Sequence, residues 1–417
     1  MPYVLRGGSW LTHMYKPAAP LHGEVFPWRV FIMLHLTTLI MKNHCNYIIS
    51  EPPQTPWWGH GIPVMEGNHA MELNEGAIPD HSALAEELAA CAQMYKDLGI
   101  CPIQVPFSPY LEARYRHDGI FSTDAAVTTK NKEDKPTAFI SNFTAQYRQP
   151  EAESMMRFLR LQRIKTIQLP KHAKLEGGDV HYTLYDHYYF GGLFRANEAG
   201  HNAVIAQSQV EDAVLLKTEG FHIDTVMVPA LDARGALRAI LACREVIESQ
   251  SWDALHTLAT QSGATLLELD AEDSIGHTDQ DRADGSYAVN CMPVPGKLLG
   301  NGEFKTPGIE DEIARLGIEH KWTPMPESAK SGGALHCLTH QLPVHDKMEV
   351  IRWYMNREVH ELYELLLNSP KDNAELVLMQ KQLPLMNFNT YKQYGVQQQE
   401  IYDLHRAREV FLSNLQL

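Results

Sequence analysis

The stretch GGDVHYTLYDHYYFGGLFRANEAGHNAVIAQSQVEDAVLLKT, residues 177–218, decides how the chain folds. Its first part holds two runs rich in aromatic and β-branched residues around a polar turn, which read as two strands. NEAGHNAVIAQSQV (197–210) then takes the three-to-four-residue apolar spacing of a helix, and AVLLKT (213–218) returns to a strand. The unit is strand–strand–helix–strand.

The same rhythm extends in both directions. Downstream, FHIDTVMVPAL (221–231) and ALRAILACREVI (236–247) read as strands, SWDALHTLATQSG (251–263) as a helix and ATLLEL (264–269) as a strand. SYAVNCMPVPG (286–296) and KLLG (297–300) lead to a helix over GIEDEIARLG (308–317) and to EHKWTPM (319–325). Upstream, GIFSTDAAVTTK (119–130) and PTAFISNF (136–143) precede a helix opened by proline, PEAESMMRFLRLQ (150–162), and the strand TIQLP (166–170). YIISEP (47–52), a helix over 80–99 capped by Asp80 and closed by Gly99, and CPIQVPF (101–107) begin the series.

The unit thus recurs four or five times with negligible identity between copies. That predicts a repeat-built α+β architecture rather than a doubly wound parallel sheet. No GxGxxG follows a strand and no P-loop occurs, so no nucleotide cofactor is indicated. Residues 346–417 have helical spacing and no strand signal, and read as a helical tail that packs on the core or makes a homo-oligomer contact. Residues 1–40 read as a dispensable extension ahead of Met41, leaving 41–345 as the main domain.

Of the 417 residues, 44% are hydrophobic and 21% charged, ordinary for a soluble globular chain. The net charge of −15 argues against nucleic acid and anionic membranes as partners and suits a cationic small molecule. VFIMLHLTTLIM (30–41) is the most apolar run, about half of the ~20 residues a membrane span needs. Six scattered cysteines without a CxxC pair argue against a disulfide framework or zinc finger and for a reducing, cytoplasmic setting.

Four spots carry candidate chemistry, each at the start of a unit. Asp124 lies in an otherwise apolar strand, where an ionised carboxylate needs a partner or a cleft. Glu176 and Asp179 flank Gly177–Gly178, a turn without Cβ bulk. His222 and Asp224 are two apart, so in a strand they face one side. A second such pair, His277 and Asp279, lies in DSIGHTDQDRADG (273–285). SGGALHCLT (331–339) places Cys337, with His336 beside it, just past Gly332–Gly333. Carboxylates around a thiol raise its pKa and blunt it. The set makes sense if the substrate is itself a cation. A planar guanidinium can be gripped by two carboxylates, favours the thiolate, and is attacked at its central carbon while a histidine handles protons.

LEGGD, HID and GGALHCLT, in that order and with an Asp upstream, resemble the guanidino-modifying enzymes of the pentein fold. These are the arginine deiminases, agmatine deiminases, dimethylarginine dimethylaminohydrolases and glycine amidinotransferases. The resemblance runs from about residue 46 to 343 and implies a fan of about five ββαβ units around a central site. It implies Cys337 as nucleophile, His222 as general acid/base, Glu176 as the acid that holds the histidine and the substrate, and Asp124 and Asp224 as guanidinium-binding carboxylates, with Asp179 also at the substrate. In that family the HxD pair opens a full unit before the last one, which selects His222 over His277. GGALHCLTHQLP is most similar to agmatine deiminases, but the rest of their pattern is absent.

The expected activity is hydrolysis of a C–N bond in the guanidino or ureido group of an arginine-like molecule, through a thiouronium-type adduct on Cys337, without metal or organic cofactor. An amidinotransferase would form the same adduct and pass it to an amine. A non-catalytic guanidino-binding or protein-binding pentein, and a metallohydrolase built on His277 and Asp279, are the rivals from other classes.

Overall fold

Five small sheets, each of three strands, organise the chain among the described residues. The structure, a computed structural model, describes residues 46–56, 70, 79–219, 222–275, 285–343, 349–368 and 373–415. The His277–Asp279 pair and residues 1–40 lie outside them.

The sequence-defining stretch forms β6 (Val180–Tyr182), β7 (Tyr188–Gly192), a helix over Glu198–Ile205, and β8 (Asp212–Leu216). β6 and β7 pair antiparallel and β7 and β8 parallel. The chemistry of connection sets this pattern: a short turn can join antiparallel strands, whereas a parallel neighbour requires a crossover, here the helix. β3 (Ala126–Lys130), β4 (Pro136–Ile140) and β5 (Lys165–Gln168) repeat it around the helix Gln149–Leu161. So do β9 (Met227–Leu231), β10 (Leu237–Cys243) and β11 (Thr265–Leu269), and again β12 (Met292–Val294), β13 (Lys297–Gly300) and β14 (Glu319–Trp322). The hairpin turns share a conformation instead of a sequence. Each carries one residue in the left-handed region: Asp134, His187, Gly235 and Gly296. In the last of these, Pro295–Gly296 is the Pro-Gly pair that a two-residue turn with positive φ at its second position favours.

The fifth sheet joins the two ends of the repeat array. β1 (Asn46–Ser50) pairs parallel with β2 (Ile103–Val105) across the helix His81–Asp97, whose Asp80 cap accepts the Ala83 N–H at 2.9 Å. Its antiparallel partner is β15 (Thr339–Leu342), from beyond the fourth complete unit. The chain therefore has five units, one of them split between the first and last strands. That split is why the sequence yields four or five.

Burial decreases from first strand to third. β9 is buried throughout, whereas β5 and β14 have no buried residue. One cavity is bordered by the first strand of every sheet, through Thr128, His181, Pro229, Met292 and His340. The first strands thus surround a common axis. No helix among the described residues is long and apolar enough to cross a membrane.

The tail forms helices over Glu349–Asn368, Asn373–Gln382 and Gln398–Asn414. Met355, Val359, Leu362, Leu404 and Phe411 share one apolar cluster with Tyr47, Leu88, Leu111 and Leu338 of the repeat array. Glu358 is fully buried and accepts hydrogen bonds from Arg157 (2.6 and 3.3 Å), Ser154 (2.8 Å) and Ser108. Arg157 and Ser154 lie on the helix Gln149–Leu161, so the tail braces one unit helix from outside. Removing one partner of a buried ion pair strands the other charge, a loss of roughly 3–5 kcal/mol. Glu358→Ala is expected to lose about that much in denaturant unfolding. A loss below ~1 kcal/mol would be the size of a surface pair and would contradict the bracing role.

Candidate active site

Each unit contributes to the site from the turn just ahead of its first strand. Asp124 precedes β3, and Glu176–Asp179 precede β6. His222 and Asp224 occupy a 3-10 turn before β9, Asn290 precedes β12, and Cys337 lies in the helical turn Leu335–Leu338 before β15. All seven are buried. This corrects the strand reading of two of these segments: Asp124 and the HID stretch are turns, and Cys337 also lies in a turn. Their backbone groups bond to neighbouring turns instead of to a ladder. Thr123 N–H donates to the Cys337 carbonyl (3.2 Å), Gly177 N–H to the Asp124 carbonyl (3.0 Å) and His336 N–H to the Asn290 carbonyl (3.2 Å). The turns are thereby tied to one another around the axis.

The Cys337 thiol lies 3.1 Å from Asp224 Oδ2, and Asn290 Nδ2 lies 3.3 Å from the sulfur. Asp224 Oδ2 also lies 2.8 Å from His336 Nδ1. On the other side, His222 Nε2 lies 2.9 Å from Glu176 Oε2, and His222 Nδ1 is 3.6 Å from Asp124 Oδ1. Glu176 Oε1 accepts the Thr144 N–H at 2.9 Å, which fixes the carboxylate that orients the histidine. Asp124 Oδ2 is held by Arg148 (3.0 Å), whose guanidinium is also gripped by Glu151 at 2.7–3.1 Å. Asp124 Oδ1 and Asp224 Oδ1 are buried and accept no hydrogen bond among the described residues.

The six candidate residues from the sequence come together, with different tasks. Asp179 spends both oxygens on backbone, accepting the N–H of Ile223 (3.1 Å) and of Arg195 (3.0 Å). It anchors the His222 turn and offers no vacant oxygen in this geometry. The Gly177–Gly178 pair serves close packing: a Cβ on Gly178 would meet His222 Nδ1 at 2.5 Å, and one on Gly177 would meet the Thr123 carbonyl oxygen at 1.8 Å. Gly332 has φ +77°, and a Cβ on Gly333 would meet the Phe121 ring at 2.3 Å.

Asn290 and Arg148 escaped the sequence reading. Asn290 Oδ1 accepts the N–H groups of Ala334 (3.2 Å), His336 (3.2 Å) and Cys337 (3.4 Å), so it caps the turn that bears Cys337. Its position ahead of β12 matches that of the other site residues in their units, a signal available once units are aligned. Arg148 precedes its helix in an ordinary polar segment and gives no comparable signal.

Burial and two carboxylates set the electrostatics. Burial, then Asp224 and Asp124, push the Cys337 thiol well above its ordinary value. Burial opposes charge on Asp224, but the His336 hydrogen bond and the nearby histidines outweigh it and hold the carboxyl below the usual range. Burial pushes Asp124 up, against the pull of His222 and Arg148. Burial would lower His222, but Asp124, Glu176 and Asp179 raise it to about 9. The imidazolium is therefore the resting form at neutral pH. Since its folded pKa lies above the unfolded ~6.5, it stabilises the fold below that pH, and the contribution is lost as pH rises through about 9.

Comparison with known sequences yields no matching family model and no matching curated protein. Comparison of folds gives clear matches. ArgZ, an arginine dihydrolase from the ornithine–ammonia cycle in cyanobacteria, superposes with TM-score 0.58 at 18% identity, covering 71% of this chain and 40% of ArgZ. The N-terminal domain of ArgZ, solved as a cysteine-to-serine variant bound to substrate, matches with TM-score 0.56 at 17% identity, over 71% of this chain and 97% of the domain. A dimethylarginine dimethylaminohydrolase adduct matches with TM-score 0.50 at 17% identity, over 72% and 99%. The chain thus spans about two fifths of full-length ArgZ and nearly all of its N-terminal domain. The fold is that of the penteins, the fold of these guanidino-modifying enzymes.

The His222 ring resonance, assigned with a His222→Gln variant, is expected to titrate near pH 9. Glu176→Gln should lower it by about one unit or more, since one unit is ~1.4 kcal/mol of lost carboxylate interaction. An unshifted titration would mean that Glu176 does not hold the imidazolium.

Proposed function

We propose that the protein is a cysteine-dependent hydrolase of the guanidino group of an arginine-like small molecule. The observation that carries this reading is the pair of buried oxygens without hydrogen bonds, Asp124 Oδ1, 3.6 Å from His222 Nδ1, and Asp224 Oδ1, on the carboxylate beside Cys337. A buried carboxylate oxygen left vacant is costly. A guanidinium supplies the missing donors in a plane. Asp124 already grips one guanidinium, that of Arg148, through its other oxygen. The ArgZ and dimethylarginine dimethylaminohydrolase likenesses support the same substrate chemistry.

In the proposed reaction the substrate cation offsets Asp124 and Asp224, and the thiol proton leaves through Asp224 Oδ2. The thiolate forms a C–S bond to the central carbon, and the C–N π pair moves onto nitrogen. His222, an imidazolium at rest, protonates the leaving nitrogen. The C–N bond breaks and ammonia or an amine departs, leaving a thiouronium on Cys337. Neutral His222 then takes a proton from water and the oxygen adds to the same carbon; the C–S bond breaks as the remaining hydroxyl proton passes to the released amine through solvent, which leaves the C=O of the product and a thiolate that regains its proton from Asp224.

Intact-mass spectrometry of acid-quenched mixtures with a panel of guanidino and ureido compounds tests the reading. A substrate-sized adduct that is absent in Cys337→Ala, with amine or ammonia released and no amine added, is the expected outcome. His222→Gln should slow turnover by roughly 10²–10⁴-fold, the usual worth of a general acid/base. Product that forms only with an added amine acceptor would instead assign amidino transfer. Absence of adduct and product across the panel would contradict both.

A further inference from the structure

His336 has no part in the steps above, yet it touches the group they turn on. Its Nδ1 is 2.8 Å from Asp224 Oδ2, and that same oxygen is 3.1 Å from Cys337 Sγ. One carboxylate oxygen thus faces both the imidazole and the thiol, while Oδ1 is left vacant. The terminal torsion of an Asp side chain is broad, so an unrestrained carboxylate plane would turn and draw both oxygens out of line with the thiol. The donor that restrains it must itself be fixed, and His336 is. Its backbone N–H is tied to Asn290 Oδ1 at 3.2 Å, and its ring packs on His181 with centroids 4.5 Å apart. His181 is in turn bonded through Nε2 to the Met227 carbonyl at 3.0 Å.

We propose that His336 is a positioning residue for Asp224, pinning Oδ2 beside the thiol and leaving Oδ1 turned toward the guanidinium. The substrate in this statement rests on the guanidino reading; the restraint on Asp224 does not.

The charges around Asp224 come from several elements. Cys337 and His336 face it from one turn, His222 lies on its own turn, His181 is on β6, and Asp124 and Asp179 are on two further turns. Burial depresses His181 to about 3, so it is neutral near neutral pH. His222 is committed to Glu176. Apart from the thiol, His336 is the one side chain among the described residues that bonds the Asp224 carboxylate. Without it, burial drives Asp224 toward the protonated form. A neutral Asp224 no longer opposes a thiolate, and the Cys337 thiol then ionises at lower pH.

The test is the rate of iodoacetamide alkylation at Cys337 against pH in ligand-free protein, read on the Cys337 peptide so that the exposed Cys101 does not contribute. His336→Leu removes the donor, and His336→Asn keeps a shorter one. His336→Leu is expected to move the profile to lower pH by about one unit, or ~10-fold in rate on its rising limb. His336→Asn should restore most of the parent profile. On an Asp224→Asn background, His336→Leu should produce no further shift. An unchanged profile in folded His336→Leu, or a shift that persists without the Asp224 charge, would overturn the proposal. The shift without turnover of any guanidino compound by the parent protein would keep the positioning role and remove the substrate reading. Turnover with an unshifted profile would do the reverse.

Discussion

A thiol is packed 3.1 Å from a buried carboxylate, and the rest of the site follows from that contact. Such a thiol resists ionisation, because the thiolate would face Asp224, with Asp124 nearby, in a water-poor interior. The arrangement is poor for a cysteine acting on a neutral substrate. It suits one that attacks a cation, since the cation cancels the repulsion only when it is bound. In the proposed reaction, ionisation and substrate binding become one event, and the resting thiol is guarded against adventitious reaction.

The fold makes such a contact possible by bringing turns, rather than strands, to the axis. A strand commits its backbone to the ladder and alternates its side chains between two faces. A turn ahead of the strand can aim one or two side chains at the axis and use its backbone to bind the neighbouring turn. Five units give five such turns, and the separation of roles among them is physical. Asp124 and Asp224 keep one oxygen open, Glu176 orients His222, and Asn290 caps the Cys337 turn. The β1–β15 pairing brings the last turn beside the first. The tail contributes at a distance: Glu358 braces the helix whose N-terminal end carries Arg148, which holds Asp124, and Glu151, which grips Arg148.

Much of this was legible in the sequence because the periodicity changes from strand to helix and back within each unit, and the turns are marked by glycine and acids. The ββαβ unit and the helical tail follow from those signals, while the grouping of Cys337, His222, Glu176, Asp124 and Asp224 into one site was implied by the resemblance to the guanidino-modifying enzymes. Local backbone state was not legible. Short polar segments such as STDA and HID have the composition of strand ends, and their turn conformation is imposed by hydrogen bonds from other units. Asn290 was hidden for a related reason, since a neutral amide in SYAVNC carries no charge to flag it. Asp179 shows the converse: it sits in a glycine-acid motif, yet its oxygens go to the backbone N–H groups of Ile223 and Arg195. Spacing reports where a side chain starts, but not which of its atoms remain free.

The most direct test of the central claim is the thiolate absorbance of Cys337, taken as the difference between the protein and a Cys337→Ser variant near neutral pH. It should be measured with and without guanidinium ion at a concentration too low to unfold the protein. Almost no thiolate signal is expected in the free protein, with a signal that appears on adding guanidinium and is lost in Asp124→Asn. A thiolate already present without the cation, or a thiol indifferent to it, would contradict the account.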